Sequence, residues 1–339
     1  MSVGATKPRS DFSAEGLAEQ ISAHNAQHWD ARAVGRTKAA VIHAFGQALS
    51  GASTAVPKAL LTTHGVAMAG GPSLIFGTQR RTSAVDAALI NATAAAAGSG
   101  VSSDAGSAAY IVSLFGLCEE RRKTGQEFLD ALMFGAGLSL AVASTVPASA
   151  PVAMTGQLTS ALFGAVVAAT RVIKLSRPKI SSALLIAGVT NPGGPPASQV
   201  GPSSFMVGLS MRNGLLAALL AEAMDETFCI ELAKSEEGAS SSRTASSSTL
   251  APMEGANDLL AIQSPPGTDL WDQFEQQASA VLPRDHIAPL FERLETIDKV
   301  TDLAMVSRLL QGRSAQAAPK KIVFASRGTH EPEETNWVP

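Results

Sequence analysis

The chain has 339 residues, 45% of them apolar and 16% charged, with a formal net charge of -3. That length allows one large domain or two ordinary ones, with ample core. The near-neutral balance, with no Lys/Arg cluster interleaved with aromatics, gives no electrostatic basis for nucleic-acid binding. Aromatics are scarce, with 12 Phe, 3 Trp and 1 Tyr, while Ala, Leu, Ser and Gly abound. That composition excludes a β-sandwich and suits helices packed through small residues.

In chain order, the apolar periodicity predicts helices over 12–28, 37–50, 55–68, 83–97, 106–122, 125–144, 157–174, 178–189, 204–223, 268–281, 284–296 and 299–311. Ser83 with Asp86 resembles a capping box, and Gly98 supplies the stop. The run Ala94 to Ala97 permits close approach of another backbone or a ligand. Pro178 falls in a first turn, where its missing N–H does no harm. "RVIKLSRPK" (171–179) is the densest basic run and reads as the solvated end of a helix. Residues 235–257, rich in Ser, Gly and Ala, read as a flexible linker. The resulting organisation is a helical domain over 1–234, the linker, closing helices of the same domain over 258–312, and a tail over 313–339 that holds one expected short strand, 321–326.

The N-terminal "MSVGATKPRSDFS" lacks the apolar core of a secretory signal. No apolar run free of Gly, Pro and polar residues reaches the roughly 20 residues that span a bilayer. The expectation is a cytoplasmic protein with no membrane partner. Cys118 and Cys229 read as reduced, buried thiols. Of the six histidines, only His24 and His28 stand at i and i+4 on a predicted helix. With no acidic third ligand nearby they read as surface residues. P-loop, Rossmann and G-x-S-x-G patterns are absent, so neither metal nor cofactor is expected.

Several stretches resemble the MmgE/PrpD family, which includes 2-methylcitrate dehydratase and cis-aconitate decarboxylase. "FGTQRRTSAVDAALINATAAAA" (76–97) is similar to the family's opening. "GQEFLDALMFGAGLSLAVA" (125–143), "TSALFGAVVAATRVIKLSRPKISSALLIAG" (159–188) and "SMRNGLLAALLAEA" (210–223) follow in the family's order, and 274–310 resembles its closing helices. The resemblance implies an all-α domain, a homodimer, and an α/β lid inserted where the Ser-rich linker stands. That linker is too short and too polar for a folded lid.

The resemblance also locates a site on which the family's chemistry is missing. Along "NATAAAAGSGVSSDAGSAAY" (91–110), family histidine and acid positions fall on Ala96 and Ser99, the motif's Thr on Ser103, and the His before Pro on Asp104. Another family histidine falls near Ala150. The Lys-x-Leu-His motif falls on "SSFM", so that Ser203 and Met206 replace Lys and His. No His or Lys lies near these positions in sequence, and Arg212 is the nearest basic residue. Losing each charge-assisted bond costs about 1.5–3 kcal/mol, so tricarboxylate binding is expected to be lost. The candidate substrate-binding residues are Ala96, Ser99, Val101, Ala150, Met154, Gln157, Ser203, Phe205, Met206 and Arg212, with Asp104 and Ser103 as candidate catalytic residues. Met and Phe among small residues and hydroxyls suit an apolar ligand. Each also has a plain structural role available: helix packing for the alanines, core filling for the methionines, an N-cap for Asp104 and turn positions for Ser99 and Ser103.

Three functions remain open. One is a cofactor-independent isomerase or cyclase, Diels–Alder chemistry included, acting on a largely apolar molecule in natural-product biosynthesis. The second is a conventional dehydratase or decarboxylase with relocated catalytic groups. The third is a non-catalytic binding or scaffold protein.

Overall fold

The computed structural model describes residues 14–23, 29–100, 105–145, 156–190, 204–240, 260 and 269–313, with the side chains of 140–145, 156, 157 and 235–240 excepted. The expected strand over 321–326 lies outside the described residues. The helices are α1 (Ala14–Ala23), α2 (Ala31–Gly51), α3 (Ala55–Thr62), α4 (Ala84–Gly98), α5 (Ala105–Glu120), α6 (Gly125–Thr145) and α7 (Gly156–Ile173). They continue with α8 (Arg177–Thr190), α9 (Ser204–Ala223), α10 (Glu226–Ser240), α11 (Leu270–Ala278), α12 (Arg284–Glu295) and α13 (Ala304–Leu309). The all-α class is as expected from composition.

Local chemistry sets the helix ends. Ser83 accepts the Asp86 backbone N–H at 3.2 Å and opens α4. Its partner Asp86 turns instead to the Ala67 N–H, at 3.2 Å, so the box is not reciprocal. Thr124 and Glu127 form the reciprocal version at α6, with Glu127 accepting the Thr124 N–H at 2.9 Å and Thr124 accepting the Glu127 N–H at 3.2 Å. Pro178 sits in the first turn of α8, as its missing donor requires.

Two features depart from the sequence reading. A two-stranded antiparallel pair joins β1 (Ser73–Leu74) to β2 (Arg81–Thr82), with Ser73 opposite Thr82 and Leu74 opposite Arg81. Strands of two residues are too short to show an alternating pattern. Glu119 holds them from α5, accepting the Leu74 N–H at 2.9 Å and pairing with Arg81 at 2.6 Å. The second departure is α10, which carries the chain helically to Ser240, into the stretch expected to be linker. Glu236 and Glu237 are good helix formers, and they extend the helix before the serines dominate. Residues 241–257 lie outside the described residues.

The main core is built on Phe45, Phe76, Phe115 and Phe128, whose rings meet edge to face with centroids between 5.0 and 5.8 Å apart. Phe274, Leu290, Leu294, Leu303 and Leu310 of the closing segment are buried in the same core. The Gly77 N–H also donates to the Leu310 carbonyl at 3.0 Å, tying the closing helices to the hairpin. A second cluster joins α1 to α6, α7, α8 and α9 through residues such as Ile21, Phe134, Phe163 and Leu184.

Among the described residues one helix, Ser204–Ala223, is long and apolar enough to cross a membrane by length and composition. It packs along α4, α7 and α8 as a central helix of the bundle.

Candidate functional site at the end of α4

Three contacts orient the helices around the site. A Cβ at Gly51 would lie 1.9 Å from the Ala94 carbonyl oxygen, and one at Gly98 would lie 1.9 Å from the Gln47 oxygen. Only glycine at both positions lets the last turns of α2 and α4 cross backbone to backbone. Ala84 at the start of α4 donates its N–H to Glu120 at the end of α5 across 2.8 Å, so these helices run antiparallel. On the third side, Gly208 of α9 rests on Thr93, where a Cβ would sit 2.0 Å from Oγ1, while Arg212 reaches Asp86 at 4.0 Å. Helix α9 is therefore antiparallel to α4 as well. The C-terminal ends of α2 and α4 and the N-terminal ends of α5 and α9 thus share one pole of the bundle. The N-terminal end of a helix carries N–H groups with no partner inside the helix and a field that favours negative charge.

At this pole a buried polar chain crosses the α2–α4 contact. Ser99 donates its hydroxyl to the Gln47 Oε1 at 2.8 Å and shares it with the Ala95 carbonyl, also at 2.8 Å. The Gln47 amide in turn meets His43 Nε2 at 2.7 Å. With the amide N–H donating, that ring nitrogen is the acceptor and the imidazole proton belongs on Nδ1. His43 and Gln47 are 5% and 4% exposed, so the chain is buried except at Ser99, which is half-buried.

The sequence-predicted residues divide accordingly. Ala96 is buried in the main core, one turn before Ser99. Met206 is half-buried and Phe205 is exposed, both in the first turn of α9 at the same pole. Arg212 stands apart. It lies at the Asp86 end of α4, and Asp86 and Ser99 are separated by about 20 Å of helix. Gln157 lies in the first turn of α7. Val101, Ser103, Asp104, Ala150, Met154 and Ser203 lie outside the described residues, as do His24 and His28. Among the described residues no group of three His, Cys, Asp or Glu could hold a metal ion.

No histidine stands close to the site in sequence. The fold brings His43 there from α2, through Gln47. The signal in the sequence is the i, i+4 spacing of His43 and Gln47 within the otherwise apolar stretch "AAVIHAFGQALSG". Two polar residues one turn apart on a buried helix need partners.

These elements define a helical scaffold whose helix ends converge, across glycine contacts, on a small polar site that holds no charged side chain among the residues described there. The chain belongs to the MmgE/PrpD family, whose N-terminal domain it matches over residues 15–225. No curated protein sequence matches it.

Proposed function

We infer that the chain is a divergent MmgE/PrpD-type enzyme that acts without a cofactor on a largely apolar small molecule, as an isomerase or cyclase of natural-product biosynthesis. One observation supports this most. At the positions where the resemblance calls for His, Asp and Lys, the described residues are Ala96, Ser99 and Met206, with Phe205 beside them, and Arg212 is engaged by Asp86 at the other end of the helix. An uncharged wall binds by shape. The Ser99 hydroxyl, its proton held by Gln47 and the Ala95 carbonyl, offers an acceptor that orients one O–H or N–H of the substrate. Holding a reactive conformer can lower a barrier by as much as about 7–11 kcal/mol, enough for ring closure of the Diels–Alder type. The cytoplasm is the compartment that fits, given two buried free thiols.

A specific observation favours a second reading, that of a lyase with relocated groups. The His43–Gln47–Ser99 chain places an imidazole one side chain away from the site, and an imidazole is the usual proton carrier near neutral pH. The two readings separate on the substrate. A dehydratase or decarboxylase of the family type turns over a tricarboxylate; the isomerase or cyclase ignores it and captures an apolar metabolite from an extract of the source organism.

A homodimer completes the proposal. Leu216 and Leu220, one turn apart on α9, and Phe228 of α10 are 40%, 45% and 54% exposed, apolar surface that a second copy would cover. Light scattering on the purified chain gives the mass of a dimer if this is right and of a monomer if it is not.

A further inference from the structure

At the other end of the bundle, where α5 and α7 stop and α6 and α8 start, a cleft of about 580 Å³ opens between α1, α6, α7 and α8. Its volume is that of a small-molecule site. The basic run 171–179 supplies one wall. The backbone of this run closes the helix end. Leu175 donates its N–H to the Thr170 carbonyl at 3.0 Å and Lys174 to the Arg171 carbonyl at 3.3 Å, closing α7 with Lys174 at φ +55°. Glycine or asparagine is the usual residue at such a position. A lysine there adds nothing to the backbone geometry and places a cation on the rim.

The donor and acceptor inventory of the cleft is lopsided. Its acids are already engaged. Asp130 accepts the Trp29 indole N–H at 3.2 Å on one oxygen and the Arg171 Nε–H at 3.3 Å on the other. Glu127 accepts from Thr124 at 2.9 and 3.1 Å on one oxygen and from Lys123 at 3.1 Å on the other. The Thr170 hydroxyl donates to the Val167 carbonyl at 2.8 Å. Donors, by contrast, remain. Lys174 makes no side-chain hydrogen bond or ion pair among the described residues, and Lys123 spends one of its three N–H groups on Glu127. The first turn of α8 adds the backbone N–H groups of Arg177 and Lys179, Pro178 having none and Ile180 donating to the Ser176 carbonyl. The floor is apolar, with Ile21, Phe134 and Ile180, and the Arg171 guanidinium lies 4.8 Å over the Phe134 ring. A guanidinium fixed in this way by a ring and a carboxylate is preorganised.

We propose that this cleft is a second small-molecule site, separate from the α4 pole, for an amphipathic anion: an aryl or acyl carboxylate with its apolar body on Phe134 and Ile180 and its carboxylate between Lys174 and Lys123. The site does not depend on the activity at the other pole.

The test uses the full chain with naphthalene-2-acetate as probe and the neutral naphthalene-2-acetamide as control. Amide chemical shifts are followed by NMR alongside thermal melting. The expected result is that the acid binds at least about tenfold more tightly than the amide. It raises the melting temperature and shifts the amides of Ser22, Ala131, Thr170, Lys174 and Ser176. Lys174→Glu, at an exposed position, weakens the acid by about tenfold and leaves the amide unchanged. Equal affinity for acid and amide overturns the proposal. So do shifts confined to other parts of the chain, unaltered acid affinity in Lys174→Glu, and no binding at about 1 mM probe. If Lys174→Glu fails to fold, the acid–amide comparison on the unmodified chain decides the question.

Discussion

The Ser99 hydroxyl lies 2.8 Å from the side-chain oxygen of Gln47, fifty-two residues away in sequence, and this bond joins the end of α4 to a buried imidazole on α2. Cutting the middle of that chain removes the Gln47 partner of His43 Nε2 in a buried setting, while Ser99 keeps the Ala95 carbonyl. Gln47→Leu is therefore expected to destabilise the fold by about 1–3 kcal/mol, while Ser99→Ala, at the solvent end, costs less than about 1.5 kcal/mol. Urea unfolding of the two variants measures the order, and the reverse order contradicts a buried role for Gln47.

The glycine contacts give predictions of opposite sign. Gly98→Ala drives a methyl group to 1.9 Å from the Gln47 carbonyl oxygen, so α2 and α4 must separate. The expected loss is about 3 kcal/mol or more, the upper end for overpacking. At Gly35, in the exposed part of α2, an added methyl group would meet nothing within 4 Å. Gly35→Ala is expected to stabilise the chain by about 0.5–1 kcal/mol through helix propensity. Thermal melts followed by circular dichroism measure both.

Most of the fold is legible in the sequence, and the part that is not has physical causes. The pattern predicts Ser204–Ala223 to the residue, and α4 to within one, where Ser83 and Gly98 mark the ends. Helix α3 stops at Thr62, short of its predicted end at 68, where the chain turns through Gly65 at φ +85°. The candidate site is half legible. Its position at the α4–α5 turn comes from family resemblance and Ser99. The approach of His43 is not legible, because nothing in the sequence near residues 96–104 points to it until the Gly51–Gly98 crossing brings α2 alongside. Arg212 is near in sequence alone, and the antiparallel run of α9 carries it to the far end of α4.

Glu127 sets an acid-side pH dependence. The Thr124 backbone N–H, joined by Lys123 and the Thr124 hydroxyl, holds its carboxyl below the usual glutamate range, against a smaller opposing effect of burial. A lowered folded-state value means that its contribution to stability is complete above the unfolded glutamate value, about 4.3, and is lost as pH falls through the folded one. The group is half-exposed, so screening keeps the effect below about 1 kcal/mol. Urea unfolding should therefore separate the wild type from Glu127→Gln at about pH 7 and bring them together at about pH 3. A gap that persists in acid contradicts the assignment.

Cys118 is fully buried, and that burial pushes its thiol well above the ordinary range. The thiolate is the reactive form, so native protein is expected to leave Cys118 unalkylated by iodoacetamide, with full reaction in denaturant. Mass spectrometry of the tryptic peptides reads this directly. Rapid native labelling at Cys118 would contradict its burial in the main core.

The central claim is that the α4 pole binds an uncharged or weakly polar guest by shape. Native mass spectrometry of the purified chain, incubated with an extract of the source organism, tests it most directly when wild type and Ser99→Phe are compared. The expected result is retention of a mainly apolar metabolite by the wild type, undiminished by excess citrate and abolished by Ser99→Phe. Retention of citrate itself, or capture of the metabolite that Ser99→Phe leaves intact, would contradict the account.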